Sequence, residues 1–257
     1  MLAASAISAQ TPSVYMEDLT WMELRAAIAG GKTSAIICAG GTEQNGPHMA
    51  LGKHNVIAHY VAGQIAHQLG NALVYPVLPF SPAGDAAEKI GHARFPGTIS
   101  LSSELYLGVM RQEAQSAIAA GFKNVLLMGD HPGGQKELQL AAENLDADWR
   151  AKGVRVFYVP DVQAKAMQQA NAYMAQRKIV PGGHAGVWET SMMMLLSQIE
   201  KQQWIRHDQL TAAKGQPEPA TGISGDPSPA TVELGRVFMN YKVRGAVEQI
   251  RTLLAQR

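Results

Sequence analysis

The sequence predicts an α/β protein with three layers, α/β/α, around a mainly parallel sheet. Strand-like and helical segments alternate along the chain, as they do where helices cover both faces of a parallel sheet. Residues 34–39 form a short, isoleucine-rich apolar run, typical of a strand buried on both sides. Residues 40–55 follow at once, with glycines, a carboxylate, amides and two imidazoles. Since ligands of open α/β sheets gather at the carboxyl ends of strands, this stretch is predicted to lie at the functional site.

The first helix is predicted by signals at both of its ends. Thr20 can accept hydrogen bonds from the helix N-terminus, and Glu23 three residues later completes a capping box. Gly30 and Gly31 end the segment. The next helix is predicted by apolar residues that recur at helical spacing over residues 55–69.

The remaining elements continue the alternation. Further strands are predicted at residues 73–80, 124–128 and 154–159, and the prolines in the first of these favour a sheet edge. Two long loops are predicted, at residues 81–97 and 216–229. A loop as long as the first of them is usually functional. The other predicted helices cover residues 102–120, 136–151, 162–177, 190–196 and 230–254.

Composition limits the classes of function. A chain of 257 residues, 46% hydrophobic and 17% charged, suits one large domain, which we expect to cover residues 15–257 after a tail of residues 1–14. The net charge is +1 without a basic stripe, which argues against nucleic acid or a membrane surface as the main partner. Cys38 is the sole cysteine, so there is no internal disulfide. In a buried strand we interpret it as an apolar filler rather than a nucleophile.

The N-terminal tail allows two interpretations. Residues 6–10 resemble the end of a secretory signal, although a basic region is missing before them. An ordinary N-terminus fits equally well. A periplasmic or secreted location follows from the first interpretation and a cytoplasmic one from the second. No run reaches the roughly 18 apolar residues of a membrane span.

Several potential metal ligands follow predicted strands. Glu43 and His54 follow the first strand, and His131 comes directly after the strand at 124–128. Glu189 opens an apolar helix, where a buried carboxylate needs a cation or several donors; the helix N-terminus is the simpler source of donors. His184 lies in the loop before it. Because parallel strand ends meet at one edge, a shared metal site is predicted.

Five segments resemble the creatininase family of metal-dependent amidohydrolases. Residues 41–48 are similar to its Gly-Ser-Thr-Glu-Gln-His-Gly-Pro-His signature. Residues 95–101 resemble its Phe-Pro-Gly-Thr segment, and residues 131–134 its His-Gly-Gly-Asn loop. Residues 184–191 resemble its His-Ala-Gly-x-x-Glu-Thr-Ser motif, and residues 222–235 its C-terminal loop. The resemblance implies a creatininase-like fold, hydrolysis of C–N bonds in cyclic amides and related small molecules at a zinc or manganese centre, and a homo-oligomer, often a hexamer.

The resemblance also implies roles for single residues. Glu43, His131 and Glu189 correspond to metal-site positions of the family, and His184 corresponds to its proton-transfer histidine. Two positions depart from the pattern: Asn45 replaces a ligand histidine and His54 replaces a metal-bridging aspartate. A neutral imidazole offers one lone pair to one metal, whereas a carboxylate can span two.

We therefore predict one ion per site rather than two. Zinc is expected, with manganese or iron as alternatives, because two histidines and one glutamate with an open position form a known catalytic zinc arrangement. The predicted ligands are Glu43, His54, His131 and Glu189, and the predicted proton-transfer residues are His184 and Glu189.

Other residues are assigned supporting roles, with alternatives. Asn45, His92 and Trp188 are expected to contact a small-molecule substrate, although a core position suits Trp188 equally. His48 and Asp130 are expected to hold ligands through hydrogen bonds; Asp130 could instead be a simple turn residue. A different overall hypothesis is a decayed family member that only binds its ligand. Residues 129–135 lack the Lys-Ser/Thr of a phosphate-binding loop.

Overall fold

A parallel sheet of four strands lies at the centre of the part of the chain described by the structure, residues 13–211 and 218–256 of a computed structural model. The strand order is β2–β1–β5–β6, and every neighbouring pair is parallel. The bounds are β1 Ser34–Ala39, β2 Ala72–Val74, β5 Asn124–Gly129 and β6 Arg155–Tyr158.

Helices cover both faces of this sheet, which confirms the predicted three-layer α/β/α architecture. Residues of α2, α5, α6 and α8 pack on one face, and residues of α1, α3 and α4 pack on the other. The bounds are α1 Trp21–Ala29, α2 Lys53–Leu69, α3 Ser103–Ala120, α4 Gln135–Trp149, α5 Ala164–Gln176, α6 Val187–Glu200, α7 Glu218–Thr221 and α8 Val232–Ala255.

The position of β1 in the sheet explains why its sequence is apolar after Ser34. All six of its residues are buried, because side chains alternate between two covered faces. Ile36 and Cys38 enter the core beneath α2 and α8, whereas Ile37 enters the core beneath α3 and α4. Burial raises the pKa of the Cys38 thiol well above its ordinary range. Cys38 is therefore an apolar filler in this sheet and not a reactive thiolate.

Local signals set the helix ends as predicted. The Thr20 hydroxyl accepts from the Glu23 amide, and the Glu23 carboxylate accepts from Thr20, which completes the capping box of α1. The hydroxyls of Ser102 and Thr231 accept from the amides of Leu105 and Leu234 and so cap α3 and α8, without a capping box. Gly121 ends α3 with φ +109°, a conformation that glycine adopts without strain.

Several segments differ in detail from the sequence predictions. The strand predicted at residues 73–80 is continuous only over Ala72–Val74, at the sheet edge that its prolines favoured, and Leu78 adds a single parallel bridge to Ala39. The loop predicted at residues 81–97 contains a short antiparallel pair, β3 Gly84–Asp85 and β4 Ile90–Gly91. Inside the loop predicted at residues 216–229, the short helix α7 forms. Two- and four-residue elements leave too little periodicity in a sequence to be recognised.

The sequence predictions for the N-terminus lie largely outside the described residues, since the first of these is Ser13. Val14 already belongs to the core, and its carbonyl accepts from the Val74 amide at 2.8 Å. Among the described helices, none is both long and apolar enough to cross a membrane.

The strand order places a crevice at the carboxyl ends of β1 and β5. The chain moves from β1 to β2 on one side and later to β5 on the other side of β1. The loops that leave β1 and β5 therefore separate in opposite directions. Ligands of open α/β sheets bind at such a point. The loop with Glu43 and the loop with His131 both begin there.

Candidate metal centre

Glu43 lies at the centre of a buried cluster between two imidazoles. Its Oε1 lies 2.9 Å from His54 Nε2, and its Oε2 lies 2.9 Å from His131 Nε2. All three residues are buried, with Glu43 and His54 each 1% exposed. His54 is the second residue of α2 rather than lying before the helix as the sequence suggested. One ligand atom from each residue lies within 4.8 Å of the others, a spacing that suits one metal ion.

The cluster requires a cation between Glu43 and His54. The Asp130 carboxylate can only accept, so His54 Nδ1, 2.5 Å from Asp130 Oδ2, carries a proton. In a neutral ring, His54 Nε2 would then present a lone pair to a carboxylate oxygen. Either a second proton or a metal ion resolves this repulsion. Burial of His54 and the nearby charge of Lys53 both act to lower its pKa. The carboxylates of Asp130 and Glu43 outweigh them, so the pKa of His54 is raised.

Asp130 also contacts a buried lysine of the last helix. Its Oδ1 lies 2.8 Å from Nζ of Lys242, which is 0% exposed. A carboxylate behind a ligand histidine fixes the ring and makes it a better ligand. Asp130 contacts the far nitrogen of His54, and its expected role in holding a metal ligand stays a prediction.

His131 is held by its own loop. Its Nδ1 accepts from the Gly133 amide at 2.9 Å, so in the neutral ring Nε2 carries the proton and faces Glu43 Oε2. Ligation through Nε2 would require the proton to move to Nδ1, where the Gly133 carbonyl, 3.4 Å away, would accept it in place of the contact with the amide. A Cβ on Gly133 would lie 2.0 Å from the Pro82 carbonyl oxygen, so only glycine fits.

Hydrogen bonds tie the recognised segments to one another around Gln44. Its amide donates to Thr98 Oγ1 at 3.0 Å, and its side chain donates to the Gly222 carbonyl at 3.0 Å. His184 Nε2 donates to the Gln44 carbonyl at 2.8 Å. The Ser224 amide donates to the His184 carbonyl at 2.9 Å. The five segments, distant in sequence, therefore form one site.

Lys53 places a positive charge inside this site. It is the first residue of α2, is 0% exposed, and its Nζ lies 3.6 Å from Glu43 Oε1. Burial would raise the pKa of Glu43, but hydrogen bonds from His131 and His54 and the charge of Lys53 hold it well below its usual range. Glu43 is therefore ionised at neutral pH, as a ligand carboxylate must be.

Glu189 lies beside the three-residue cluster and is held from two sides. Its Oε2 contacts Lys53 Nζ and accepts from the Ala185 amide at 2.6 Å, while its Oε1 lies 3.9 Å from His54 Nε2. Burial alone would raise the pKa of Glu189. The charge of Lys53 is the largest of the opposing effects, and together they lower this pKa to about 2. Of the two explanations considered for this carboxylate, the cation applies, in the form of Lys53; the one backbone donor, Ala185, precedes α6 and is not part of the helix N-terminus.

His184 and His92 form the exposed wall of the site. Their rings lie 4.1 Å apart, and their side chains are 15% and 28% exposed, whereas that of Glu43 is 1% exposed. Burial and then Lys53 lower the pKa of His184 to about 3. His92 Nδ1 accepts from Gln44 Nε2 at 2.9 Å. Together with Glu43 they form a second group with metal-ligand spacing, but Lys53 Nζ lies 3.4 Å from His184 Nδ1 and disfavours a cation there.

Three other predicted site residues do not face the cluster. The Asn45 side chain is buried, and its amide donates to the carbonyls of Glu43 and Ala50 at 3.0 and 2.8 Å, so it shapes the loop. Trp188 packs on Phe238 in the core, with ring centres 5.0 Å apart. His48 contacts Thr190 Oγ1 at 2.9 Å, and burial lowers its pKa to about 4.

Lys53 and Lys242 were missed by the sequence analysis, although the sequence carries a signal for both. Lysine is among the residues least often fully buried unless it is paired. Yet Lys53 stands on the same helical stripe as the buried Ile57 and Val61, and Lys242 is four residues after the buried Phe238. A lysine on an apolar stripe requires a buried partner.

Comparison with known proteins gives consistent matches over nearly the whole chain. A family profile named Creatininase, described as creatinine amidohydrolase, matches residues 17–250. The creatinine amidohydrolase of Pseudomonas putida is 25% identical over 258 residues, which cover 93% of this chain and 96% of that protein. The mycofactocin precursor peptide peptidase of Mycolicibacterium smegmatis is 25% identical over 236 residues, 84% of this chain and 83% of that protein. A solved mutant creatininase of the Zn–Zn type superposes with a TM-score of 0.74 at 23% identity, over 94% of this chain and 98% of that chain.

Proposed function

Because the chain belongs to the creatininase family, we propose that it is a metal-dependent amidohydrolase that cleaves a C–N bond in a small cyclic amide or a related small molecule. The observation that supports this most strongly is the buried cluster at the end of β1. Both oxygens of Glu43 face imidazole nitrogens at 2.9 Å, and Asp130 holds the far nitrogen of one ring. A purely structural ion pair would not need two histidines aimed at one carboxylate.

We propose that Glu43, His54 and His131 hold one divalent ion, with zinc as the expected metal and manganese or iron as alternatives. Two histidines and a glutamate form a donor set used by catalytic zinc. A bound ion would supply an activated water and polarise the scissile carbonyl. A neighbouring structure is described as the Zn–Zn type, but here Asn45 is engaged with backbone carbonyls and His54 cannot bridge two ions.

His184 is placed to move a proton. Its Nε2 donates to the Gln44 carbonyl, so in the neutral ring Nδ1 carries the lone pair, which lies 3.4 Å from Lys53 Nζ and 3.6 Å from Glu43 Oε1. With a pKa lowered to about 3, the ring is neutral at pH 7 and gives up an accepted proton readily. It can therefore pass a proton to a leaving nitrogen. Glu189 Oε1, 3.9 Å from His54 Nε2, would be a second acceptor for the proton of an activated water.

His92 is placed to bind the substrate at the mouth of the site. Because its Nδ1 accepts from Gln44, its Nε2 carries the proton of the neutral ring. This N–H lies 3.7 Å from Glu43 Oε2. It can donate to a carbonyl oxygen that enters from the exposed side, and it thereby orients the substrate toward Glu43.

A peptide bond is the second candidate substrate. The relatives of similar identity include both a creatinine amidohydrolase and a peptide peptidase. Both reactions break an amide C–N bond and can use the same cluster. The partial exposure of the His92 and His184 rings supports entry of either substrate from their side.

The test combines metal analysis with a substrate screen. Protein purified without chelator should contain one divalent ion per chain by mass spectrometry, and should hydrolyse a member of a panel of lactams, cyclic ureas, formamides and short peptides. His131→Ala should lose both the ion and turnover, whereas the exposed His207→Ala should keep both. Absence of metal from the wild-type protein would contradict the proposal. Bound metal without turnover on any amide would favour the ligand-binding alternative.

A further inference from the structure

Lys53 occupies a position that has the surroundings of a metal site. Its Nζ contacts Glu189 Oε2 and lies 3.4 Å from His184 Nδ1 and 3.6 Å from Glu43 Oε1. Two carboxylate oxygens and one imidazole nitrogen thus surround the ammonium group. These are the donor types that hold divalent cations in proteins. The side chain is 0% exposed, so bulk solvent does not reach the ammonium group.

We propose that the Lys53 ammonium fills a second cation position of this site, and thereby limits the protein to one divalent ion. The inference rests on the proposed function only in that Glu43, His54 and His131 are taken to bind that ion. A second ion would need Glu43 Oε1, Glu189 Oε2 and His184 Nδ1, which are the atoms that Lys53 already contacts. The ammonium charge also repels another cation at this short range.

Lys53 also acts as a positioning residue for Glu189. The carboxylate lies in the first turn of α6, with Oε2 between the ammonium and the Ala185 amide. With Oε2 held in this way, Oε1 is left on the side of His54, at 3.9 Å from Nε2. A buried carboxylate needs such a counter-charge to remain ionised. Lys53 therefore supplies charge and orientation that a second ion would otherwise supply.

The number of ions bound per chain tests this inference directly. Wild type, Lys53→Ala and Lys53→Met are saturated with Zn²⁺, separated from free metal by gel filtration, and measured by mass spectrometry. We expect one zinc per chain in the wild type. Lys53→Ala, which removes both the charge and the side chain, should bind two. Lys53→Met, which removes the charge but still fills the space, should bind one.

A double variant assigns the second ion to this position. Lys53→Ala with Glu189→Gln removes one of the three donors, so the ratio should return from two zinc ions to one. A ratio of one in Lys53→Ala, or of two in the wild type, would overturn the inference. Absence of zinc from the wild type would instead overturn the proposed metal centre, and the inference with it.

A measurement on the wild type alone covers the case in which Lys53→Ala does not fold. Crystals grown with excess Zn²⁺ are measured at the zinc absorption edge. One anomalous peak among Glu43, His54 and His131 supports the inference. A second peak between Glu43 and Glu189, with the Lys53 side chain displaced, overturns it.

Discussion

His54 Nδ1 lies 2.5 Å from Asp130 Oδ2, and the other Asp130 oxygen lies 2.8 Å from Lys242 Nζ. This row of contacts connects the last helix, α8, to the imidazole that faces Glu43. It fixes the His54 proton on Nδ1 and leaves Nε2 for the proposed metal ion. The orientation of this proposed ligand therefore depends on a residue more than 180 positions further along the chain.

Asp130→Asn is expected to lower zinc affinity about 10- to 100-fold, because the carboxylate orients His54 and increases its basicity. The affinity is measured by competition with a fluorescent chelator. Losing one partner of a buried ion pair costs about 3–5 kcal/mol, so Lys242 would also destabilise this variant.

The double variant Asp130→Asn with Lys242→Met separates these two effects. It removes both charges of the buried pair, so urea denaturation should show that much of the lost stability returns. Zinc affinity should remain low. Wild-type affinity in the double variant would show that Asp130 has no effect on the ligand.

His184→Ala is expected to reduce turnover about 10²- to 10⁴-fold, the usual contribution of a proton-transfer residue. The zinc content should stay at the wild-type ratio, since His184 lies outside the cluster of Glu43, His54 and His131. Turnover and metal content are measured on the same preparation. His67→Ala, an exposed change on α2, is the control. Parallel loss of metal and turnover would make His184 a ligand instead.

Glu113→Gln is expected to stabilise the protein at alkaline pH. Glu113 lies on α3, and burial raises its pKa to about 7. The folded state therefore favours the neutral acid, and the free energy of unfolding falls as the pH rises from about 4.5 to 7. Glutamine stays neutral, so the variant should gain on the order of 2 kcal/mol at pH 8 and almost nothing at pH 4.

Urea denaturation at pH 4 and pH 8 provides the measurement. Glu104→Gln, an exposed change on the same helix, should not show this difference between the two pH values. An equal effect of Glu113→Gln at both pH values would show that its ionisation is not linked to folding.

Gly133→Ala is expected to weaken metal binding. The added Cβ would lie 2.0 Å from the Pro82 carbonyl oxygen and 3.0 Å from the His131 ring, so the loop must move and His131 with it. Gly108→Ala on α3 meets no atom within 4 Å and should gain up to about 1 kcal/mol from helix propensity. Zinc titration and thermal unfolding compare the two variants. Unchanged zinc affinity in Gly133→Ala would show that the loop yields without moving His131.

Much of the site could be predicted because parallel strands end at one edge. Glu43 and His131 follow neighbouring strands, β1 and β5, so the sheet brings them together whatever the loops do. The presence of His54 in the same cluster could be predicted because the chain between β1 and α2 is short. The apolar run of β1 and the capping box at Thr20 are local signals, and both helped to predict the fold.

Side-chain direction and buried charge were harder to predict. Asn45 is two residues from Glu43, but its amide turns to backbone carbonyls, and a loop sequence has no periodicity that shows this. Trp188 lies in the core because α6 is buried on nearly every side near its start. In the sequence, Lys53 resembles an ordinary lysine at the solvent-exposed start of a helix. Only its position on the same helical stripe as Ile57 indicates that its side chain is buried.

The ammonium group of Lys53 differs from a dissolved ion in how it can be lost. It is part of the polypeptide from the moment of synthesis, so neither dilution nor a chelator can withdraw it. Glu189 keeps its counter-charge in a medium poor in metal, and the α6 side of the pocket stays assembled. With the proposed stoichiometry, the protein has to capture one ion from its surroundings, not two, before it is complete.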